Sequence, residues 1–266
     1  MSREAMVREY LRVLGLDGHE PDLALLNALV SKHVATFAFS SVGCLLGEKL
    51  PLDFEALFQR IVVERRGGYC FQHNGLMYGM LEELGFSPTL YLARVIYNQD
   101  IHPGLTHRIS LVEHQGLEYI LDVGFGPLGP RLAIPMSGAE DSDRPGCFRV
   151  SQRQPGEYHV QVLKDDSFYS LYRFERVQYG QSDCELGHFY SHRHPQATFV
   201  NHLVVSLLLA DETRSLRNLE YAVIAQSGTN KQNVDDAGQL RHLLVNEFGC
   251  QVTDTESRRL FDRFAS

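Results

Sequence analysis

The hydrophobic period of this chain changes at Gly85, and that change limits what the chain can fold into. Up to Leu84, apolar residues recur at helical spacing. Met6, Tyr10, Leu11 and Leu14 share one face, and Gly15 follows as a stop. Pro21 opens a second run to about Val34. Asp53 reads as the N-cap of a third helix, with Leu57, Phe58, Ile61 and Val62 on one side. Gly67-Gly68 is expected to end it, and a fourth helix is expected from Cys70 to Leu84 with Gly85 as its cap. From Pro88 onward, short runs rich in β-branched, aromatic and leucine residues read as strands over 89–97, 105–114, 117–123, 147–152, 157–164 and 168–177. The stretch from Gly129 to Gly146 reads as a long loop, 200–210 and 218–226 as two further strands, and Asp211-Glu212-Thr213-Arg214 as a solvated turn. Helical spacing returns over 235–249 and 254–265. Helices, then antiparallel strands, then a mixed tail make an α+β protein.

The balance of charge narrows the partners. The net charge of −8 and the lack of a basic stripe argue against nucleic acid. An anionic ligand then needs a local cationic or dipolar site. The most apolar stretch, Leu203 to Ala210, is too short to span a bilayer, and Met-Ser-Arg-Glu-Ala-Met does not begin a signal peptide. Cysteines 44, 70, 147, 184 and 250 are odd in number, scattered and without a CxxC pair, as expected of reduced thiols in a cytoplasmic protein.

Arg65-Arg66-Gly67-Gly68-Tyr69-Cys70-Phe71-Gln72-His73-Asn74 is the most informative segment. A cysteine after a Gly-Gly turn and at a helix start faces unpaired backbone amides and the positive end of the helix dipole. Both favour an anion there, and the thiolate is the nucleophilic form. The same amides can hold a developing oxyanion. A small buried cysteine behind a helix cap would read the same way. His73 shares a helical face with Cys70, but a base on the same turn is hard to orient independently.

A base and its orienter are expected on one hairpin. If Gln115-Gly116 forms a tight turn, His114 pairs with Leu117 and His107 falls opposite Gly124. Asp122 then projects from the same face as His107, close enough to accept a hydrogen bond from one imidazole nitrogen. That bond would fix the tautomer and leave the other nitrogen for Cys70. A purely structural His–Asp pair is the alternative.

Gly124-Phe125-Gly126-Pro127 follows directly. Its glycines are able to expose amides to a pyrophosphate, although Gly-x-Gly alone is a weak signal and turn-making explains it equally. Phe125 and Phe199 are candidates for an aromatic pocket. His188, His192, His194 and His202 lack a cysteine or carboxylate at a familiar ligand spacing, so no metal site is expected.

In motif, order and spacing, Arg66-Gly67-Gly68-Tyr69-Cys70-Phe71 with Asn74, Thr106-His107-Arg108 and Leu121-Asp122-Val123-Gly124-Phe125-Gly126 resemble the arylamine N-acetyltransferases. Tyr172-Arg173-Phe174 and the later Pro195 and Phe199 extend the resemblance across nearly the whole chain. It implies a helical bundle (1–86) bearing the cysteine, an antiparallel β-barrel (87–190) bearing His and Asp, and an α/β lid (191–266). It also implies a Cys70–His107–Asp122 triad arranged as in cysteine proteases. Acetyl-CoA is implied as co-substrate, with no permanently bound cofactor, and an aromatic amine, hydrazine or N-hydroxyarylamine as acceptor. Thr106 and Gly126 match positions that approach CoA, and Val95, Phe125 and Phe199 match positions that line the acceptor pocket. A cysteine hydrolase or an amide synthase on the same triad is the alternative. Where the family usually shows Phe-Glu-Asn-Leu, this chain has Phe39-Ser40-Ser41-Val42, so the carboxylate normally offered to the arginines ahead of the cysteine is missing. Gln72 stands where Glu is common.

Overall fold

The structure, a computed structural model, describes residues 1–17, 20–139 and 146–265. Helix α1 (Arg3–Leu14) starts where Ser2 Oγ accepts from the Ala5 amide, and Gly15 ends it in the left-handed region. The Asp22 carboxylate caps α2 (Leu23–Thr36). Two short elements come next, β1 (Phe39–Ser40) and α3 (Val42–Leu46); neither has enough residues to show a period.

Asp53 caps α4 (Phe54–Phe58), which continues as a π turn over residues 59–63. This helix does not end at Gly67-Gly68. Its cap is Glu64, and Arg65 takes the left-handed conformation at φ 56°. Gly67 has another role: a Cβ there would lie 2.7 Å from the Ala38 carbonyl oxygen, so glycine lets this segment run against β1. Helix α5 (Cys70–Glu83) is buried on nearly every side, as a central helix must be. With α1, α2 and α4 it encloses Tyr10, Leu26, Leu29, Phe58 and Leu76.

The next strands are β2 (Thr89–Val95), β3 (His107–His114), β4 (Leu117–Leu121), β5 (Ile134–Pro135), β6 (Phe148–Gln154), β7 (Glu157–Lys164) and β8 (Ser167–Glu175). They form an antiparallel sheet in the order β5-β4-β3-β2-β8-β7-β6. Contact of β5 with β6 brings its edges together into a nearly closed barrel around Ile109, Ile120, Val160, Leu171 and Phe174. Within the stretch 129–146 only Ile134–Pro135 pairs, and 140–145 lie outside the described residues. Gln115 and Gly116, both at positive φ, make the two-residue turn that pairs His114 with Leu117.

Helix α6 (Gln181–Arg193) was not expected, and it runs across the 190/191 division. It leads to α7 (Thr198–Asn201), β9 (Val204–Leu208), β10 (Glu212–Arg217), β11 (Glu220–Ala225) and β12 (Gly228–Asn233). These strands form a second antiparallel sheet, β1-β9-β10-β11-β12, so a strand of the N-terminal segment belongs to the C-terminal sheet. Residues 212–214 are therefore strand rather than turn. Thr213 is buried there, its hydroxyl bonded to Arg131, while charged neighbours disguise the alternation. Strand β12 is exposed throughout and has no apolar alternation to read. Helices α8 (Ala237–His242), with a following π turn, and α9 (Asp254–Phe264) pack Leu240, Leu244 and Leu260 onto this sheet. Among the described residues no helix is long and apolar enough to cross a membrane.

Candidate active site

Cys70 is the first residue of α5, preceded by an extended Tyr69, and it is 3% exposed. Its thiol donates to the Thr106 carbonyl at 3.4 Å. The first amides of any helix lack partners within it, so α5 presents them beside the sulfur. The segment after β4 lies directly on this turn. A Cβ at Gly124 would sit 2.7 Å from Cys70 Cα, so only glycine lets the chain pass Cys70 this closely.

His107 opens β3 and Asp122 follows β4, on the shared face that the hairpin register demands. The imidazole Nε2 donates to Asp122 Oδ2 at 2.7 Å, leaving Nδ1 as the remaining nitrogen. Asp122 is fully buried, and its Oδ1 accepts from Asn74 Nδ2 at 2.9 Å and from the Gly124 amide at 3.0 Å. Asn74, one turn beyond Cys70, also donates to the Arg108 carbonyl at 2.6 Å and accepts from the Val123 amide at 2.8 Å. Burial works against charge on His107. The Asp122 carboxylate and a hydrogen-bonding interaction with Cys70 outweigh it and hold the imidazole well above its ordinary pKa. Burial would likewise raise Asp122, yet the His107 charge and three hydrogen bonds hold it below the usual carboxylate range. A thiol, an imidazole and a carboxylate carried by separate elements are thus brought into line, an arrangement able to serve as nucleophile, base and orienter.

These groups open into a cavity of about 510 Å³. Thr106, Val95, Phe125 and Phe199 line it, together with Cys70 and His107. Phe125 meets the His107 ring edge-on at 5.2 Å, and Phe199 packs on Phe39 and Tyr69. Gly126 is not brought into this cavity. It faces a small neighbouring recess against the Phe39 ring, at φ +87°. Phe39, Tyr97, Tyr190 and Arg217 line the cavity without having been singled out in the sequence, because nothing local marks them. Asn74 did carry a signal: it stands four residues after Cys70, on the same helical face. Tyr172 lies 4.8 Å from the His107 ring, with its hydroxyl buried beside Asp122 but without a hydrogen bond of ordinary geometry.

His73 turns away from the thiol, toward His33 and the Ala38 carbonyl. His188 engages both ring nitrogens, with Tyr69 and the Leu50 carbonyl. The carboxylates missing from the 39–42 segment come from elsewhere: Arg66 pairs with Glu48 and Glu256, and Arg60 with Glu48. Arg65 instead covers the Phe37 ring.

Comparison with known proteins bears on the family and the fold. A family model described as N-acetyltransferase matches residues 22–257. An arylamine N-acetyltransferase of Mycolicibacterium smegmatis is 34% identical over 96% of this chain and 96% of its own length. That of Escherichia coli K12 is 32% identical over 90% and 86%. The solved arylamine N-acetyltransferase of Mycobacterium marinum superposes with a TM-score of 0.92 at 28% identity, covering 98% of this chain and 100% of that one. A second structure of the same enzyme, in complex with CoA, gives 0.91 at 28% identity over 97% and 99%. With sequence and fold matched over almost the whole length, the chain belongs to the arylamine N-acetyltransferase family.

Proposed function

We propose that this enzyme moves an acetyl group from acetyl-CoA to the nitrogen of an aromatic amine, a hydrazine or an N-hydroxyarylamine, by way of an acetyl-cysteine on Cys70. One observation carries the reading: the Cys70 thiol at the α5 N-terminus lies beside His107, whose Nε2 is held by Asp122 at 2.7 Å. The CoA complex of the M. marinum relative supports the donor. The Salmonella typhimurium relative, named also as an N-hydroxyarylamine O-acetyltransferase, supports N-hydroxyarylamines as acceptors, in that enzyme at oxygen rather than nitrogen. The family match favours transfer over hydrolysis or amide synthesis.

In the first half-reaction the Cys70 sulfur, its proton held by His107, attacks the thioester carbonyl. The oxyanion forms against the first amides of α5. The carbon–sulfur bond to CoA breaks, and the departing sulfur takes the proton from the imidazolium. In the second, the acceptor amine attacks the acetyl carbon and gives its proton to His107. The bond to Cys70 then breaks, restoring the thiolate–imidazolium pair and releasing the acetamide. Asp122 holds the imidazole in place through both steps and stabilises its charged form. Thr106 sits at the thiol, while Val95, Phe125 and Phe199 form apolar walls for an aromatic acceptor.

The test is intact mass after incubation with acetyl-CoA without amine, followed by peptide mapping. One acetyl group is expected on Cys70, discharged by an arylamine. Label on Cys44, or none on any cysteine, would refute the mechanism.

A further inference from the structure

The cavity at Cys70 has an asymmetric charge. Among the described residues no carboxylate lines it, and beside the Cys70–His107 pair its ionised lining residue is Arg217. Among the described residues the Arg217 guanidinium makes no hydrogen bond and no ion pair. Nearby arginines differ: Arg214 pairs with Glu212 and Glu247, and Arg131 donates to Leu209, Glu212 and Thr213.

The base of the Arg217 side chain is fixed. Arg217 ends β10, paired across the ladder with Val204 on one side and Glu220 on the other. Next to it, the Asn218 amide donates to the Leu203 carbonyl at 2.7 Å, and Asn218 Oδ1 accepts from the Leu203 amide at 3.1 Å. The backbone is therefore set and the guanidinium is left over. Tyr97 lines the same cavity near enough for the Arg217 charge to act on its phenol, whose own hydroxyl has no protein partner among the described residues. Arg217 is exposed, so in a protein of net charge −8 its guanidinium stands in solvent at the cavity, open to an anion that enters. Guanidinium matches carboxylate or phosphate in a planar, two-pronged hydrogen bond.

We propose that Arg217 is the anion anchor of this cavity. It holds a negatively charged group on a bound substrate, a carboxylate of the acceptor or a phosphate of the donor, with the Tyr97 hydroxyl as second donor. This rests on the transferase reading above.

The two half-reactions distinguish the sources. Arg217→Gln and Arg217→Glu are compared with wild type in single-turnover acylation by acetyl-CoA and by S-acetylpantetheine, which lacks the phosphates in question. The preformed acetyl-enzyme is then discharged with 4-aminobenzoate and with its neutral ethyl ester. For an acceptor anchor, Arg217→Gln lowers the second-order rate constant for the acid about three- to tenfold and leaves the ester unchanged. For a donor anchor, the same loss falls on acetyl-CoA and spares S-acetylpantetheine. Arg217→Glu should deepen whichever loss occurs. The anchor is overturned if charged and neutral partners move together in both comparisons, or if neither moves. Turnover of the ester by wild type keeps the transferase reading intact in that event. A wild type that is not acylated at all would sink that reading, and the anchor with it.

Discussion

Asn74 holds the Asp122 carboxylate from the same helix that carries Cys70, Nδ2 lying 2.9 Å from Oδ1. Cys70 and Asp122 are thereby registered to one rigid element, although they come from segments 52 residues apart. The same amide joins β3 at Arg108 and the loop after β4 at Val123. Asn74→Ala strands these buried partners. It should lower stability by about 1–3 kcal/mol, and Cys70 acylation by up to about a hundredfold as His107 loses its alignment. Denaturant unfolding and single-turnover acylation measure the two effects. Unchanged acylation in a folded variant would remove Asn74 from the positioning of the triad.

Asp122 should matter more for rate than for folding. Asp122→Asn can keep the contact to Asn74 but no longer accepts from His107 Nε2 in the same way, nor does it stabilise the imidazolium. Turnover should fall about three to four orders of magnitude, as when such a base loses its tautomer. A loss below tenfold, with circular dichroism unchanged, would contradict the role given to the 2.7 Å bond.

The hairpin was legible because its turn chemistry is local. Gln115-Gly116 fixes the register, and the register alone puts His107 and Asp122 on one face. Cys70 was legible for the same reason, since a Gly-Gly approach and a helix start lie within a few residues. What stayed hidden depends on distant partners. Glu48 and Glu256 supply the carboxylates for Arg66 from positions that nothing near Arg66 announces. Strand β10 carries Glu212 and Arg214 on either side of Thr213 and reads as solvated until Arg131 is seen bonded to Thr213. Gly126 was legible only as a turn glycine or a ligand-facing one; its positive φ serves a turn that sets it against Phe39, in a recess beside the cavity.

Phe199 should separate acceptor binding from acylation. It reaches the cavity from α7 and packs on Phe39 and Tyr69, with ring centroids 5.6 and 5.0 Å away. Phe199→Ala removes a wall against which an aromatic acceptor can stack, an effect on the order of 1 kcal/mol beyond burial. Discharge of the acetyl-enzyme by arylamines should weaken roughly fivefold. Acylation of Cys70 by acetyl-CoA, timed separately, should stay within about twofold of wild type. Equal losses in both steps would mean that Phe199 shapes the nucleophile rather than the acceptor.

The last prediction concerns acid. Tyr10, His33 and His73 form a buried chain whose direction is set at its far end, where the Ala38 carbonyl can only accept. His73 Nε2 donates there at 3.1 Å, so its Nδ1 accepts from His33 Nε2 at 2.7 Å, and His33 Nδ1 accepts from the Tyr10 hydroxyl at 2.8 Å. Each ring nitrogen then has one role, and both imidazoles are neutral. Burial lowers both, His33 well below its ordinary value and His73 to about 4, with Arg60 adding to the effect at His73. A histidine depressed on folding contributes its full stability above the unfolded value of about 6.5, and loses it as pH falls through the folded value. The triad runs the other way. The raised His107 keeps its charged pair below pH 6.5 and loses it only as pH climbs toward about 10, and the lowered Asp122 holds on until pH drops below the carboxylate range. Between pH 6.5 and 4 the triad's contribution is therefore flat, and acid loss over that window comes from the buried pair together with His188, which burial also lowers to about 4, and His192, lowered by the same cause. His73→Gln should be less stable than wild type at pH 7.5, with the gap narrowing by on the order of 3 kcal/mol by pH 4. Parallel stability–pH curves for the two proteins would show that the histidine chain does not set the acid limit.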